Sequence, residues 1–168
     1  GFRDDHDDWH TWEHMHERLS VPGFLRASRW TANGTGPRFM VIYEVAGTGV
    51  ATSPDYLARL NAPTEWTSAM MARFRGMVRG FCSVIAGAGY GLGYVAALVR
   101  FTPAAGREAE VAERLSREVV PAMAKRYGIA GVHLFRPAAP PPMTNEQRLR
   151  GADEPMRWML LLTGYDAA

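Results

Sequence analysis

The histidines of this chain concentrate in its first sixteen residues, and His6, His10 and His14 recur at every fourth position. On a helix that spacing places three imidazoles on one face. Glu13 stands beside His14, and a neutral imidazole next to a carboxylate can take or give a proton near neutral pH, because its pKa lies there with little tuning. The run His10-Thr11-Trp12-Glu13-His14 also satisfies H-x-x-E-H, a spacing in which two imidazoles hold zinc while the carboxylate activates water. No clear third-ligand segment follows it, so the chemistry carried forward is proton transfer with no metal and no cofactor. His14 is the candidate proton carrier, Glu13 its orienting partner and His10 a binding residue. The competing reading is a solvated helix face rich in His, Asp and Glu with no chemical role.

A second group of candidates is aromatic. Tyr43 lies in the apolar run Phe39-Met40-Val41-Ile42-Tyr43, where its hydroxyl needs a partner. Arg26, Trp30 and Trp66, with Met70 and Met71, have the composition of a pocket wall with orienting polar groups. Tyr43 joins His14 and Glu13 as a catalytic candidate, and Arg26, Trp30 and Trp66 join His10 as binding candidates. Aromatic and methionine residues on strands and helices are also ordinary core residues. His133 reads as a core or interface histidine. Cys82 has no activating neighbour in sequence and reads as inert. The run from Gly87 to Gly93 lacks the spacing G-x-G-x-x-G and precedes a strand-like segment, so it reads as a flexible linker rather than a phosphate loop.

These residues need elements to hold them. Asp7 or Asp8 can cap a helix to residue 19, stopped by Ser20-Val21-Pro22-Gly23. Residues 24–32 and 38–45 read as a hairpin around the turn Asn33-Gly34-Thr35-Gly36. Ser53-Pro54 and Thr64-Glu65 open two short helices, to residues 60 and 74. Residues 77–85 read as a strand, as do 94–101. Residues 108–127 form an amphipathic helix with Val111, Leu115, Val119 and Met123 on one stripe, Pro121 as a kink and Gly128 as its cap. Strands at 129–135 and 156–163 flank a proline-rich segment, 137–155, that reads as an inserted surface loop.

The order helix, glycine turn, strand, loop, strand occurs twice. Val21-Pro22-Gly23-Phe24 is echoed by Ile129-Ala130-Gly131-Val132, and Arg38-Phe39-Met40-Val41-Ile42 by Arg157-Trp158-Met159-Leu160-Leu161. A repeat this long, containing helix and strands, describes a duplicated α+β unit. Residues 1–88 form the first copy, without an opening strand, and 94–168 the second. Laying Gly23 on Gly131 sets His14 opposite Ala122, Glu17 opposite Lys125 and Arg18 opposite Arg126. A duplicated fold needs its packing residues in both copies but a site in only one, which again singles out the first helix.

At 168 residues with a net charge of +2, the chain has room for one core or two small ones. Its Lys and Arg are scattered rather than striped, which argues against nucleic acid as a partner. The single cysteine excludes an internal disulfide framework, and no apolar run reaches the length of a membrane span. A cytoplasmic setting is the expectation.

The segment Trp12-Glu13-His14, Glu17-Arg18-Leu19, Val21-Pro22-Gly23-Phe24, with Ala27 and Trp30 in the following strand, resembles the opening of proteins in the dimeric α+β barrel superfamily, near its EthD-like branch. The resemblance implies tandem ferredoxin-like repeats whose antiparallel sheets close into a barrel, and a homodimer as the assembly. It implies a small-molecule enzyme, an isomerase, cyclase, decarboxylase or cofactor-free monooxygenase, acting on an aromatic, lactone or polyketide-like substrate. The alternatives are a non-catalytic small-molecule-binding or oligomerisation module, and a metal- or haem-dependent member, for which no decisive axial ligand is found.

Overall fold

The computed structural model describes residues 1–34, 38–151 and 153–166. It is a mixed α+β structure in two compact units, Gly1–Gly80 with Ala139–Pro155, and Phe81–Ala138 with Met156–Ala168.

The first unit opens with one continuous helical rod in three stretches: α1 (Phe2–Trp9), a π-helical turn (His10–His14) and α2 (Met15–Leu19). It starts earlier than Asp7. Asp4 and Asp5 sit at its positive end, Asp4 accepts from the Gly1 ammonium at 2.9 Å, and Phe2 packs edge-on against Phe74. Gly23, at φ 93°, reverses the chain into the antiparallel hairpin of β1 (Phe24–Thr31) and β2 (Phe39–Val45). Of the expected turn, Thr35 and Gly36 lie outside the described residues. After a 3₁₀ turn, α3 (Pro54–Asn61) and α4 (Glu65–Met71) are capped by the Ser53 and Thr64 hydroxyls, which accept from the Tyr56 and Thr67 amides. Trp9, Met70 and Met71 form an apolar core with Phe2 and Phe74.

The second unit is a four-stranded antiparallel sheet of β3 (Cys82–Ala88), β4 (Val95–Phe101), β5 (Ile129–Pro137) and β6 (Trp158–Gly164), in the order β3-β5-β6-β4. A second rod joins β4 to β5: α5 (Glu108–Arg114), a π-helical turn (Leu115–Val119) and α6 (Val120–Ala124). Its inner stripe packs on Val132, Leu134 and Trp158 through Leu115, Val120 and Met123. Pro121 follows the π turn directly. A proline offers no amide and crowds the preceding turn, and the local widening accommodates it.

Several expectations are corrected. Among the described residues the strands form two separate ladders, of two and four strands, and not one closed barrel. Residues 77–81 are not strand: Gly76 takes φ 62° and Val78 makes only an isolated bridge to Glu154, so β3 begins at Cys82 and runs through Gly87 to Ala88. The glycine run after it is not a free linker. Gly89, at φ 88°, lies so close to the Ala130 carbonyl that a Cβ would sit 2.4 Å from its oxygen, and a Cβ on Gly93 would sit 2.4 Å from the Gly164 nitrogen. The proline-rich segment is not a bare loop either. It carries α7 (Asn145–Arg150), capped by Thr144, with Thr144 and Glu146 buried.

The repeat also shifts. Both rods hold one π turn and end in a left-handed glycine before a strand, so Gly23 lies on Gly128 rather than on Gly131. His6, His10, His14 and Arg18 then fall opposite Val111, Leu115, Val119 and Met123. The stripe that one rod builds from aliphatic side chains, the other builds from ionisable ones.

Gly93→Ala is expected to destabilise the protein by about 1–3 kcal/mol, the usual cost of overpacking. Gly106→Ala, with open space around its Cβ but φ 79°, carries only backbone strain and costs less. Urea unfolding of the two variants measures the difference.

Candidate functional site

The inner face of the first rod is polar. His6 (2 % exposed), His10 (3 %), His14 (8 %) and Arg18 (3 %) are buried with Trp9 between them, while Trp12 is 71 % exposed. The apolar residue has been turned outward and the ionisable ones inward. The π turn contributes to this placement, because the Met15 amide reaches back five residues to the His10 carbonyl and the extra residue re-aims the side chains around it. Successive imidazoles along the rod stand 5.6 and 5.5 Å apart between ring centroids. His6 stacks on Phe39 at 4.0 Å, and His14 lies against Trp9 at 4.2 Å. Among the described residues no group of three or more His, Cys, Asp or Glu is arranged to hold a metal ion.

Glu13 faces α4. Its carboxylate accepts from the Thr64 hydroxyl at 2.7 Å and the Thr67 hydroxyl at 3.0 Å, and Thr67 in turn accepts from the Trp9 indole at 3.1 Å. Thr64 serves twice, as the cap of α4 and as a donor to Glu13. Glu13 is therefore a tether between rod and helix rather than a neighbour of an imidazole. The carboxylate nearest His14 is Glu17, 3.8 Å from its Nδ1 and 3.8 Å from Arg59. Burial raises the Glu17 pKa above the usual carboxylate range.

Around Arg18 the ion pairs close into a ring. Arg18 donates through Nη2 to Glu146; Glu146 lies 3.7 Å from Arg150; Arg150 makes a two-pronged pair with Asp153 at 2.8 Å for each contact. Asp153 lies 3.8 Å from Arg79, which donates to the Tyr56 hydroxyl at 2.7 Å, and the Arg18 guanidinium rests over the Tyr56 ring at 5.9 Å. Three guanidiniums face two carboxylates, and the side chains of Arg18, Arg150, Glu146 and Asp153 are all less than a tenth exposed. The ring carries one surplus positive charge.

Four buried polar atoms find no hydrogen-bond partner among the described residues: His10 Nδ1, His14 Nδ1, Arg18 Nη1 and the Tyr43 hydroxyl oxygen. Orphaned groups of this kind are uncommon in folded proteins. Two of them, His14 Nδ1 and Arg18 Nη1, lie one turn apart on the buried face of the rod, and the Tyr43 hydroxyl belongs to the hairpin face turned toward that rod. Burial, with Arg18 adding to it, holds the His14 pKa well below its ordinary value. Burial raises the Tyr43 pKa although Arg18 opposes it. His14 is thus a neutral imidazole and Tyr43 a protonated phenol across the neutral range. His10 is lowered to about 4, by burial first and by Arg29 second.

Of the residues singled out from sequence, the structure places His10 and His14 on the buried face of the rod that also carries Arg18. Tyr43 faces the rod from β2, on the strand face shared with Arg29, which donates to the Asp7 carbonyl and the Thr11 hydroxyl. Arg26 and Trp30 lie on the opposite face of the hairpin. Arg26 pairs with Glu44 at 2.6 Å on the exposed surface, and the Trp30 indole donates to Ser28. Trp66 is 39 % exposed on α4. The thiol of Cys82 is pushed up to about 11 by burial. Sequence reasoning missed Arg18, Arg79, Glu146, Arg150 and Asp153. One signal was available: Thr144-Asn145-Glu146-Gln147 has the S/T-x-x-E/Q spacing of a helix start, and the Thr144 hydroxyl accepts from the Gln147 amide.

Two outcomes follow from this packing. Because His10 titrates at about 4 when folded and near 6.5 when unfolded, the unfolded chain binds more protons between those values, and stability falls as the pH drops through that window. The loss from His10 is about 3 kcal/mol by pH 4, with His6 and His14 adding in the same direction; denaturant midpoints from pH 7 to pH 4 measure it. Glu146→Gln is expected to cost roughly 3–5 kcal/mol by leaving Arg18 unpaired, and Arg18→Met with Glu146→Leu to recover a large part; a double-mutant cycle checks both.

No protein-family model, curated protein or solved structure matches the chain.

Proposed function

We propose that the protein is a small-molecule enzyme that moves a proton without a cofactor, and that the polar centre of its first unit is the active site. The observation that carries this is the set of unpartnered buried atoms around Arg18. A neutral imidazole, a protonated phenol and a free guanidinium nitrogen are the groups needed to remove a proton beside a carbonyl. His14 accepts the proton as the C–H bond breaks, the bonding electrons pass to the carbonyl oxygen, and Tyr43 or Arg18 Nη1 donates a hydrogen bond to the enolate. Return of the proton to another carbon completes an isomerisation, and attack of the enolate carbon on a second carbonyl completes a cyclisation. The substrate class is an aromatic, lactone or polyketide-like carbonyl compound.

The fold reading that accompanies this is the tandem ferredoxin-like, α+β-barrel type. Its support is the split arrangement of the second unit, where β4 and β5 are joined by a helical rod and β6 lies between them, antiparallel to both. The matching of the two rods at Gly23 and Gly128 supports it further. Homodimerisation remains part of this proposal. The second reading, a non-catalytic binding module, is favoured by one observation: Glu146 already fills one side of Arg18.

Solvent exchange separates the two. In D₂O, the wild-type protein is expected to exchange the acidic C–H protons of a 1,3-dicarbonyl or unsaturated-lactone probe, followed by NMR. His14→Gln should slow that exchange by at least about 100-fold, while the exposed His16→Gln retains it. An unchanged rate in His14→Gln would remove the base, and binding of the probes without exchange by the wild type would leave the module reading.

A further inference from the structure

Resting on the reading that the centre around Arg18 is the active site, we infer that its ligand carries a carboxylate, and that Glu146 is an internal stand-in for that group, making α7 a displaceable plug. Arg18 offers a planar fork with two usable edges, and the protein fills only one: Nη2 donates to Glu146 while Nη1 stays unpartnered. A guanidinium binds a carboxylate best through two parallel hydrogen bonds. Glu146 supplies a one-pronged contact, whereas Arg150 and Asp153 beside it form the two-pronged one. The Tyr43 hydroxyl is a further buried group without a partner, on the strand face turned toward the rod.

α7 is six residues long and is tied at its start by Asn145, whose amide and side chain bond Asn61 at 3.0 and 2.8 Å. When the Glu146 side chain swings away, Arg150 gives up its 3.7 Å contact to Glu146 but keeps the two-pronged pair with Asp153, whereas Arg18 loses its carboxylate and the arriving one replaces it. The proposed substrate is therefore an acid as well as a carbonyl compound, its carboxylate on Arg18 and its acidic carbon toward His14. A neutral carbonyl compound has no charge with which to compete with Glu146, so it reaches the centre only in the minor open form and binds more weakly than the acid.

The test uses benzoate as the probe and benzamide as its neutral counterpart, at matched ionic strength. On the wild-type protein, benzoate is expected to raise amide hydrogen exchange across residues 145–150 saturably, and benzamide to leave it unchanged. Glu146→Gln removes the competitor and is expected to bind benzoate about 10- to 100-fold more tightly by calorimetry. The destabilised variant should also regain thermal stability with benzoate, and Arg18→Met with Glu146→Leu should show neither effect. Exchange in α7 that ignores benzoate, or equal affinity of wild type and Glu146→Gln, overturns the inference. Failure here with His14-dependent proton exchange intact leaves the enzyme reading standing and removes the acid; benzoate displacement without proton exchange leaves an acid-binding module.

Discussion

A charge removed from water must be matched where it lies, and the first unit is organised around that requirement. The enclosed guanidiniums of Arg18 and Arg150 and the enclosed carboxylates of Glu146 and Asp153 would each cost several kcal/mol if left alone. Their matching draws together the end of the first rod, α7 and the stretch after it, which are far apart in sequence. The proline-rich segment is thereby held as a wall of the first unit, with α7 as its ordered part. Arg79 and Tyr56 continue the same chain of partners.

The contrast between the two rods shows what this arrangement costs the fold. Both rods hold a π turn and stop at a left-handed glycine, and both present one stripe inward. In the second unit Leu115, Val120 and Met123 of the rod give stability by ordinary burial. In the first the inward face carries His6, His10, His14 and Arg18, which gain little from leaving water and depend on partners. Trp9, Met70 and Met71 supply apolar packing beside that stripe. Unpartnered polar atoms remain among those ionisable groups, so packing alone is better served by the aliphatic version.

The electrostatics of the centre are set by burial more than by pairing. Burial keeps His14 neutral and Tyr43 protonated, while Arg18 works to lower both pKa values. The first unit thus holds a neutral imidazole and a protonated phenol over the neutral range. The same burial makes the first unit sensitive to acid, since protonating its enclosed imidazoles places new charge in a dry setting, where Glu17 is 3.8 Å from His14 and Asp7 3.4 Å from His6.

Local chemistry was legible from the sequence. Ser53-Pro54 and Thr64-Glu65 marked helix starts that the structure keeps, the hairpin followed from its apolar runs and turn residues, and the spacing of His6, His10 and His14 put them on one face. Which face turned inward was not legible, because a face rich in His, Asp and Glu reads equally as solvated, and only the partners on α4 and α7 select the buried one. The exact match between the two rods was also hidden: the sequence favoured Gly131 as the partner of Gly23, and only backbone conformation distinguishes it from Gly128. Arg18, Glu146, Arg150 and Asp153 looked like ordinary surface charges, since nothing local to a charged residue reveals whether a distant counter-charge will reach it. The amino-acid order by itself determined the elements and the imidazole spacing through short-range propensity and capping. Tertiary structure alone decided that those imidazoles are dry and that Arg18 is half satisfied, because desolvation and ion pairing depend on residues more than a hundred positions apart.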